Sequence, residues 1–424
     1  MADPDYIVKT FEFKLRTNKK FVAACEEKLE QARFVYNCAL EHRKLNYQTY
    51  VKYSVNFCQQ SRELTEARSL LPEVKACLRT IQSDALEKLD AAFQAFFKRV
   101  AKGDAPGFPR FKGQDRYHTF SQKIEPQRGC PLKGDKLTVP GVGTCRVRLS
   151  REIAGTVKQL RITRRADGWF ALLVCDLEKP AVLPVIGESV GIDVGLESFA
   201  TLSTGEVIDN PRCLRKAERQ LKTAQRKVSR RKKGSNRRKK AIRELQLQHL
   251  TVKRQRRDHH FKTAKSIVKE FDRIAVEDLK IKNMVRNPKL AKSIGDAGWG
   301  GFLEILTVKA VSAGREIEKV APAYTSQDCS RCGERCRLSL ACREFKCLVC
   351  GYVAHRDVNA ALNVKARALG SNDPGSTLAG QVCSAPSGSQ AVVPAPASEP
   401  RTEAAEPVVK VLRLNTDVQP LFRA

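Results

Sequence analysis

The chain has 424 residues, enough for two to four domains, and carries 77 Lys plus Arg against 46 Asp plus Glu, a formal net charge of +31. Residues 371–424 are near neutral, so the excess sits on residues 1–370; a field of that sign attracts polyphosphate and makes nucleic acid the expected partner. No apolar run approaches the roughly 20 residues of a membrane span and the N-terminus lacks a signal-peptide core, which argues for a soluble, cytoplasmic protein without a membrane partner, nucleoid-associated if the source is prokaryotic.

In chain order, "DYIVKTFEFKLR" (5–16) alternates and is rich in β-branched residues, which suits a strand. Residues 20–100 change to the helical period, with Val74, Leu78, Ile81, Ala85, Leu89, Ala92 and Phe96 predicting one amphipathic stripe. "GDAPGFPRFKG" then breaks the helix. Short strands return between about 130 and 180, so residues 1–19 and 101–185 predict a small β-barrel split by a helical lobe over 20–100. From 186 strands and helices alternate. Cys25, Cys38 and Cys77 stand singly in apolar patterns and are expected to be small buried hydrophobes in a reducing compartment.

The stretch from 186 to 370 holds the chemistry. "SVGIDVGLESFATLSTGE" predicts a strand ending near Asp193, a turn at Gly195 and a second strand from about Phe199. A lone carboxylate in such a hairpin is costly without a cation. "RIAVE" predicts a second short strand ending on Glu277, and Asp357 opens the helix "DVNAALNVKARAL". Two strand acids and one helix acid form the constellation of an RNase H-like nuclease core holding two Mg²⁺ ions. Each acid also has a plainer role: Asp357 as a helix cap, Asp193 as a turn residue. Glu197 and Asp278 are excluded, Asp278 because adjacent strand residues face opposite ways.

Residues 212–257 contain 20 Lys or Arg against two acids. Leu214, Ala217, Leu221, Ala224 and Val228 keep heptad spacing before "GSN", and Leu245, Phe261, Ala264, Ile267 and Phe271 mark a second helical segment. A helical hairpin over 212–270 is expected, apolar along its seam and basic outside, against a nucleic-acid backbone through Arg230, Arg231, Lys232, Lys233, Arg237 and Arg238. His259 and His260 diverge by about 100° on a helix, which favours phosphate contact or plain surface exposure over metal ligation. Cys329-x-x-Cys332 and Cys347-x-x-Cys350, each followed by glycine and separated by fourteen residues, predict a structural Cys₄ zinc site over 325–351, with Cys336 and Cys342 as possible substitutes. The zinc staple closes a chain excursion just before Asp357.

"GIDVGL", "VEDL", "TSQDCSRCG", "CLVCGY" and "HRDVNAALN", in this order, resemble TnpB, the transposon-encoded RNA-guided DNA nuclease family related to the type V CRISPR effectors. "FVYNCAL" and "PRFKG" extend the resemblance weakly over 5–180. It implies a multidomain α+β protein: a wedge β-barrel interrupted by a helical recognition lobe, then a RuvC nuclease domain over 186–324 and 352–370 with an inserted zinc ribbon. It places the catalytic and Mg²⁺-binding acids on Asp193, Glu277 and Asp357 and the zinc ligands on Cys329, Cys332, Cys347 and Cys350. The implied partners are a guide RNA and double- and single-stranded DNA, cut beside a short flanking motif. Arg33, Arg110 and Lys112 are further candidates for backbone contact, and Phe108 and Phe111 are expected in barrel packing rather than stacked on bases. The rival functions are an RNA-guided regulator that binds without cutting and an accessory transposition protein. The tail 371–424, rich in Pro, Ala and Ser, is expected to be disordered.

Overall fold

The computed structural model describes residues 6–48, 54–125, 129–178, 182–337 and 342–369; the expectation for the tail lies outside them. Strand β1 (Tyr6–Arg16) buries Phe11, Phe13 and Leu15 at alternate positions. Helices α1 (Lys19–Gln48), α2 (Phe57–Leu70), α3 (Pro72–Ala76) and α4 (Arg79–Ala101) follow. The single stripe expected through Val74 and Phe96 is divided here. Cys77 and Leu78 are extended between α3 and α4, and Cys77 turns into the core at the break. Cys25 is also buried, whereas Cys38 is exposed, against expectation.

Strands β2 (Thr119–Lys123), β3 (Leu132–Lys133), β4 (Lys136–Val139), β5 (Gly143–Arg148), β6 (Thr156–Arg165) and β7 (Gly168–Glu178) join β1 in an antiparallel sheet of order β2-β6-β7-β1-β5-β4-β3. That order is open. Among the described residues no strand pair joins β2 to β3, so the expected barrel is not closed by strand pairing; Gln122 of β2 instead donates to the Pro140 carbonyl beyond β4 at 2.9 Å. Phe13, Phe120, Leu160 and Leu173 of the sheet share one core with Phe21, Leu40, Ile81 and Leu89 of α1 and α4. The helical segment is thus the sheet's second layer.

A five-stranded sheet follows, of order β10-β9-β8-β11-β12, from β8 (Ser189–Asp193), β9 (Ser198–Leu202), β10 (Val207–Asp209), β11 (Arg273–Glu277) and β12 (Glu316–Val320). The first three are antiparallel; β8–β11 and β11–β12 are parallel. Parallel neighbours need crossovers, which here are helical. α5 (Cys213–Ser229) and α6 (Asn236–Glu270) precede β11, and α7 (Ile281–Met284), α8 (Pro288–Ala297) and α9 (Trp299–Ser312) precede β12. After a short hairpin, β13 (Glu344–Lys346) and β14 (Val353–His355), the chain enters α10 (Arg356–Leu369).

Both faces of β11 are covered, as parallel strands require. Ile274 and Val276 pack with Ala264 and Ile267 of α6 and with Phe302 and Leu306 of α9. Ala275 packs on the other face with Val364 of α10. Buried Arg315 pairs with Asp272 and donates to the carbonyls of Val268 and Pro184, tying the starts of β11 and β12 together. Among the described residues no helix is long and apolar enough to cross a membrane.

The basic segment forms the expected hairpin, with Leu221, Ala224, Val228 and Val252 buried along its seam. Its second arm is a single 35-residue helix, α6. Two expectations fail there. Phe261 is 37 % exposed and off the seam, beneath Arg257 and Lys309. His260 is buried, stacked on Phe199, with Nε2 2.9 Å from the Ala297 carbonyl, so it is a core histidine rather than a phosphate contact or a surface residue. Burial holds its pKa below the ordinary value.

Candidate carboxylate and metal centres

Strand periodicity assembles the carboxylates. Gly191 pairs with Ala275 across the parallel β8–β11 ladder, and Ile192 with Val276. Side chains alternate along each strand, so Asp193 and Glu277, two residues past Gly191 and Ala275, lie on the α10 face at the carboxyl ends of neighbouring strands. Asp278, one residue on, is exposed. Glycine at 191 is a packing requirement: a Cβ there would lie 2.1 Å from the Ala361 carbonyl oxygen of α10. That close approach brings the start of α10, with Asp357, over the two strand ends.

Glu277 and Asp357 are buried, and Asp193 is half-buried. Burial first, and then the neighbouring Glu277 and Asp357, together push the Asp193 carboxyl up to about 8. Burial also raises Glu277, against a 2.6 Å hydrogen bond from Thr325 Oγ1. Asp357 faces two cations, Arg356 Nε at 3.5 Å and Arg343 Nη1 at 4.0 Å, and Arg343 also pairs with Glu197 at 2.5 Å. Its own N–H points to His355 Nδ1 at 3.3 Å.

The four cysteines are drawn closer. Among the described residues they are the one group of three or more His, Cys, Asp or Glu whose ligand atoms all lie within 4.8 Å of one another. Cys329 and Cys350 Sγ are 3.7 Å apart, and Cys332 and Cys347 Sγ 3.6 Å. The glycines after each pair have the positive φ that folds the chain back, Gly333 at +80° and Gly351 at +71°. The Cys350 N–H bonds to Cys347 Sγ and, with the Val349 N–H and the neighbouring thiols, lowers that thiol to about 6, while burial and the same crowding of thiols raise Cys329 and push Cys332 up to about 12. Cys336 and Cys342 stand outside the group, Cys342 Sγ lying against the Glu344 carbonyl. Tetrahedral sulfur ligation with every position filled suits a structural zinc.

Sequence reasoning assigned no role to the side chains that join these two centres. Asn359, fully buried, donates to the Asp328 carbonyl and accepts from the Ser330 N–H; Asn363 donates to the carbonyls of Thr325 and Asp328. Both lie inside "HRDVNAALN", one helical turn apart, and two amides on the buried, mostly apolar face of the helix were the available signal.

The expected nucleic-acid contacts divide. Arg230, Arg231, Lys232, Lys233 and Arg237 are exposed at the hairpin tip. Arg238 is occupied within the turn, donating to the Val228 and Arg231 carbonyls at the end of α5. Arg110 is exposed; Arg33 pairs with Glu30 and holds the Lys112 carbonyl. Phe108 and Phe111 are not in the sheet core: Phe108 packs edge-on against Phe93 and Phe96 of α4, and Phe111 lies under Lys44 of α1. A groove of about 1430 Å³ runs between the β6–β7 turn and α6, so part of the basic run 212–257 faces the first sheet. Its basic lining includes Arg164, Lys239, Lys253 and Arg257.

Two family models match the chain: one described as "Probable transposase" over residues 173–288, and a Cas12f1-like TNB domain over 299–364. A "Putative RNA-guided DNA endonuclease" of Streptomyces pristinaespiralis is 32% identical over 374 residues, covering 86% of this chain and 90% of that protein. The chain belongs to the TnpB family. Its relative in Escherichia coli K12, "Putative RNA-guided DNA endonuclease InsQ", is 29% identical over 389 residues, covering 85% and 92% of the two chains. The family reaches a virus as well: "TnpB-like protein L79" of Acanthamoeba polyphaga mimivirus is 30% identical over 131 residues, 30% of this chain and 25% of that one.

Proposed function

We propose that this protein is an RNA-guided DNA endonuclease that hydrolyses phosphodiester bonds with divalent metal, Mg²⁺ by preference, at Asp193, Glu277 and Asp357. The observation that carries the proposal is the convergence of the three carboxylates on one face, at the ends of two parallel strands and the start of α10. Three antiparallel strands extended by two parallel ones fit the RNase H-like, RuvC-type core, and the Cys₄ segment fits an inserted zinc ribbon. The relatives' names support the same activity.

The residues fit the ions. Three hard oxygen donors converging on one face suit Mg²⁺, and an RNase H-like set of this kind would hold two such ions. Bound Mg²⁺ would supply activation of water and stabilisation of the leaving oxygen. The chain's own part is electrostatic and positional. Asp193 holds a proton at neutral pH until a cation replaces it, so metal affinity falls with acidity. Thr325 fixes one oxygen of Glu277, and Arg343 and Arg356 stand beside Asp357, where a phosphate would meet them. The groove and the hairpin tip supply the sequence-independent attraction for RNA and DNA backbones, while pairing by the guide supplies sequence.

The test is cleavage of duplex DNA matched to the RNA that copurifies with the protein. Asp193→Ala, Glu277→Ala and Asp357→Ala should each abolish cleavage and leave target binding intact. Cleavage that survives any of the three sinks the site.

A further inference from the structure

We infer that Thr325 is a positioning residue for Glu277, through which the zinc-bound segment sets the geometry of the carboxylate site. This rests on the nuclease reading above. Thr325 is 4 % exposed, and its Oγ1 lies 2.6 Å from Glu277 Oε1. The hydroxyl has a single proton, and its other neighbour, the Pro322 carbonyl, is farther at 3.2 Å. Among the described residues this is the one side-chain hydrogen bond to Glu277. Holding one carboxylate oxygen limits rotation of the other.

Thr325 is itself held. Asn363 Nδ2 lies 2.8 Å from the Thr325 carbonyl and 2.6 Å from that of Asp328. One turn earlier on α10, Asn359 donates to the same Asp328 carbonyl at 2.8 Å and accepts the Ser330 N–H at 2.9 Å. Residues four apart on a helix share a face, so both amides grip one passing segment. Between two of the gripped residues, Asp328 and Ser330, lies Cys329, one of the four zinc-type ligands. Asp357, Cys329 and Thr325 therefore belong to one hydrogen-bonded body, while Asp193 and Glu277 belong to the sheet. The Thr325 hydroxyl links the two at the point where the carboxylates must agree on a common geometry.

Partners that orient a ligating carboxylate are worth about 10–100-fold in metal affinity or activity. The full-length protein with its copurified RNA should be compared as wild type, Thr325→Val, Thr325→Ser and Glu277→Ala. Three quantities are read: the Mg²⁺ concentration for half-maximal single-turnover cleavage, the rise in Tm that Mg²⁺ produces without DNA, and zinc content. Thr325→Val, nearly the same shape without the hydroxyl, should raise the half-maximal Mg²⁺ concentration about 10–100-fold. It should also shrink the Mg²⁺-induced rise in Tm and keep its zinc; Thr325→Ser should restore both responses. Wild-type Mg²⁺ dependence in Thr325→Val beside an inactive Glu277→Ala overturns the positioning role alone. Equal damage from Val and Ser, or loss of zinc alongside the lost Mg²⁺ response, also overturns it, because the residue would then be structural. Continued cleavage by Glu277→Ala instead refutes the nuclease assignment on which the inference stands.

Discussion

Asp193 shows most directly that the carboxylate site is built against stability. An unfolded Asp titrates near 4 and the folded one near 8, so the folded state holds the extra proton between those values. Stability is therefore full below about pH 4 and falls as pH rises through that window. Asp193→Asn removes the ionisation. In Mg²⁺-free buffer at pH 8 the variant should be more stable than wild type by roughly 1–3 kcal/mol, a few degrees in Tm, while cleaving nothing. At pH 4 the two should melt alike. A more stable wild type at pH 8 would mean that burial and the neighbouring acids do not disfavour the Asp193 carboxylate. Asp357 separates its two readings by a different substitution. Asn caps a helix about as well as Asp, so a mere cap would leave Asp357→Asn cutting normally. The buried position of Asp357 near Asp193 predicts instead a loss of more than about 100-fold in cleavage, with Tm and target binding retained. Gly191→Ala tests the packing that delivers Asp357. With a carbonyl 2.1 Å from the new Cβ, either β8 or α10 must move, which should cost about 1–3 kcal/mol and cleavage together.

At the scale of elements, the zinc-type hairpin and α10 act as one unit. Cys329→Ser should lower metal content and Tm together, since binding energy at a structural site is folding energy. Elemental analysis finding no zinc in well-folded wild type would end that assignment. These elements were legible because their signals are local: a CxxC pair carries its spacing, a strand carries its alternation, and "DVNAALNVKARAL" carries its helix. The failures were local signals overridden by contacts from elsewhere. The stripe through Val74 and Phe96 is continuous in sequence, yet the chain breaks at Cys77, where Arg68 reaches over to take the Cys77 carbonyl. His260 looked like a surface residue in a basic helix until Phe199 and the end of α8 closed over it. Helix α5 begins without a capping residue of its own, because Asp296 of α8 accepts the N–H groups of Leu214 and Arg215. A partner so distant along the chain leaves no mark on the local pattern. Thr325 was invisible for the same reason, since its partner Glu277 lies 48 residues away.

Across the whole molecule, the +31 net charge announced a polyanionic partner but not where it binds. Counting basic residues pointed to the hairpin tip, since that is where they are densest. The fold adds a second surface, the groove where α6 runs past the β6–β7 turn. Its cations come from segments far apart in the chain, and several are already paired: Arg164 with Glu26 and Arg254 with Asp167. Lys253 and Arg257 line the same groove without an ion pair among the described residues, which leaves their charge available to phosphate. The two surfaces make separable predictions. Every basic side chain that stops pairing with a phosphate lowers the log–log salt slope of binding by about 0.9 for duplex DNA and about 0.7 for single strands. Lys253→Gln with Arg257→Gln should therefore weaken binding of the copurifying RNA and flatten its slope by roughly 1.4–1.8, with Tm unchanged. Arg254→Gln should lower Tm slightly as well, because it leaves Asp167 at the turn with Lys14 as its remaining cation. Replacing Arg230, Arg231, Lys232 and Lys233 with Gln reports on the tip alone. If the tip variant loses slope and the groove variant does not, the polyanion lies along the hairpin's outer end and the groove is an empty seam between sheet and helix. If the groove variant loses slope, the long helix reads phosphate along its middle, on the side turned toward the first sheet. That placement would set guide and target between the two halves of the molecule, which no count of charges along the chain could have located.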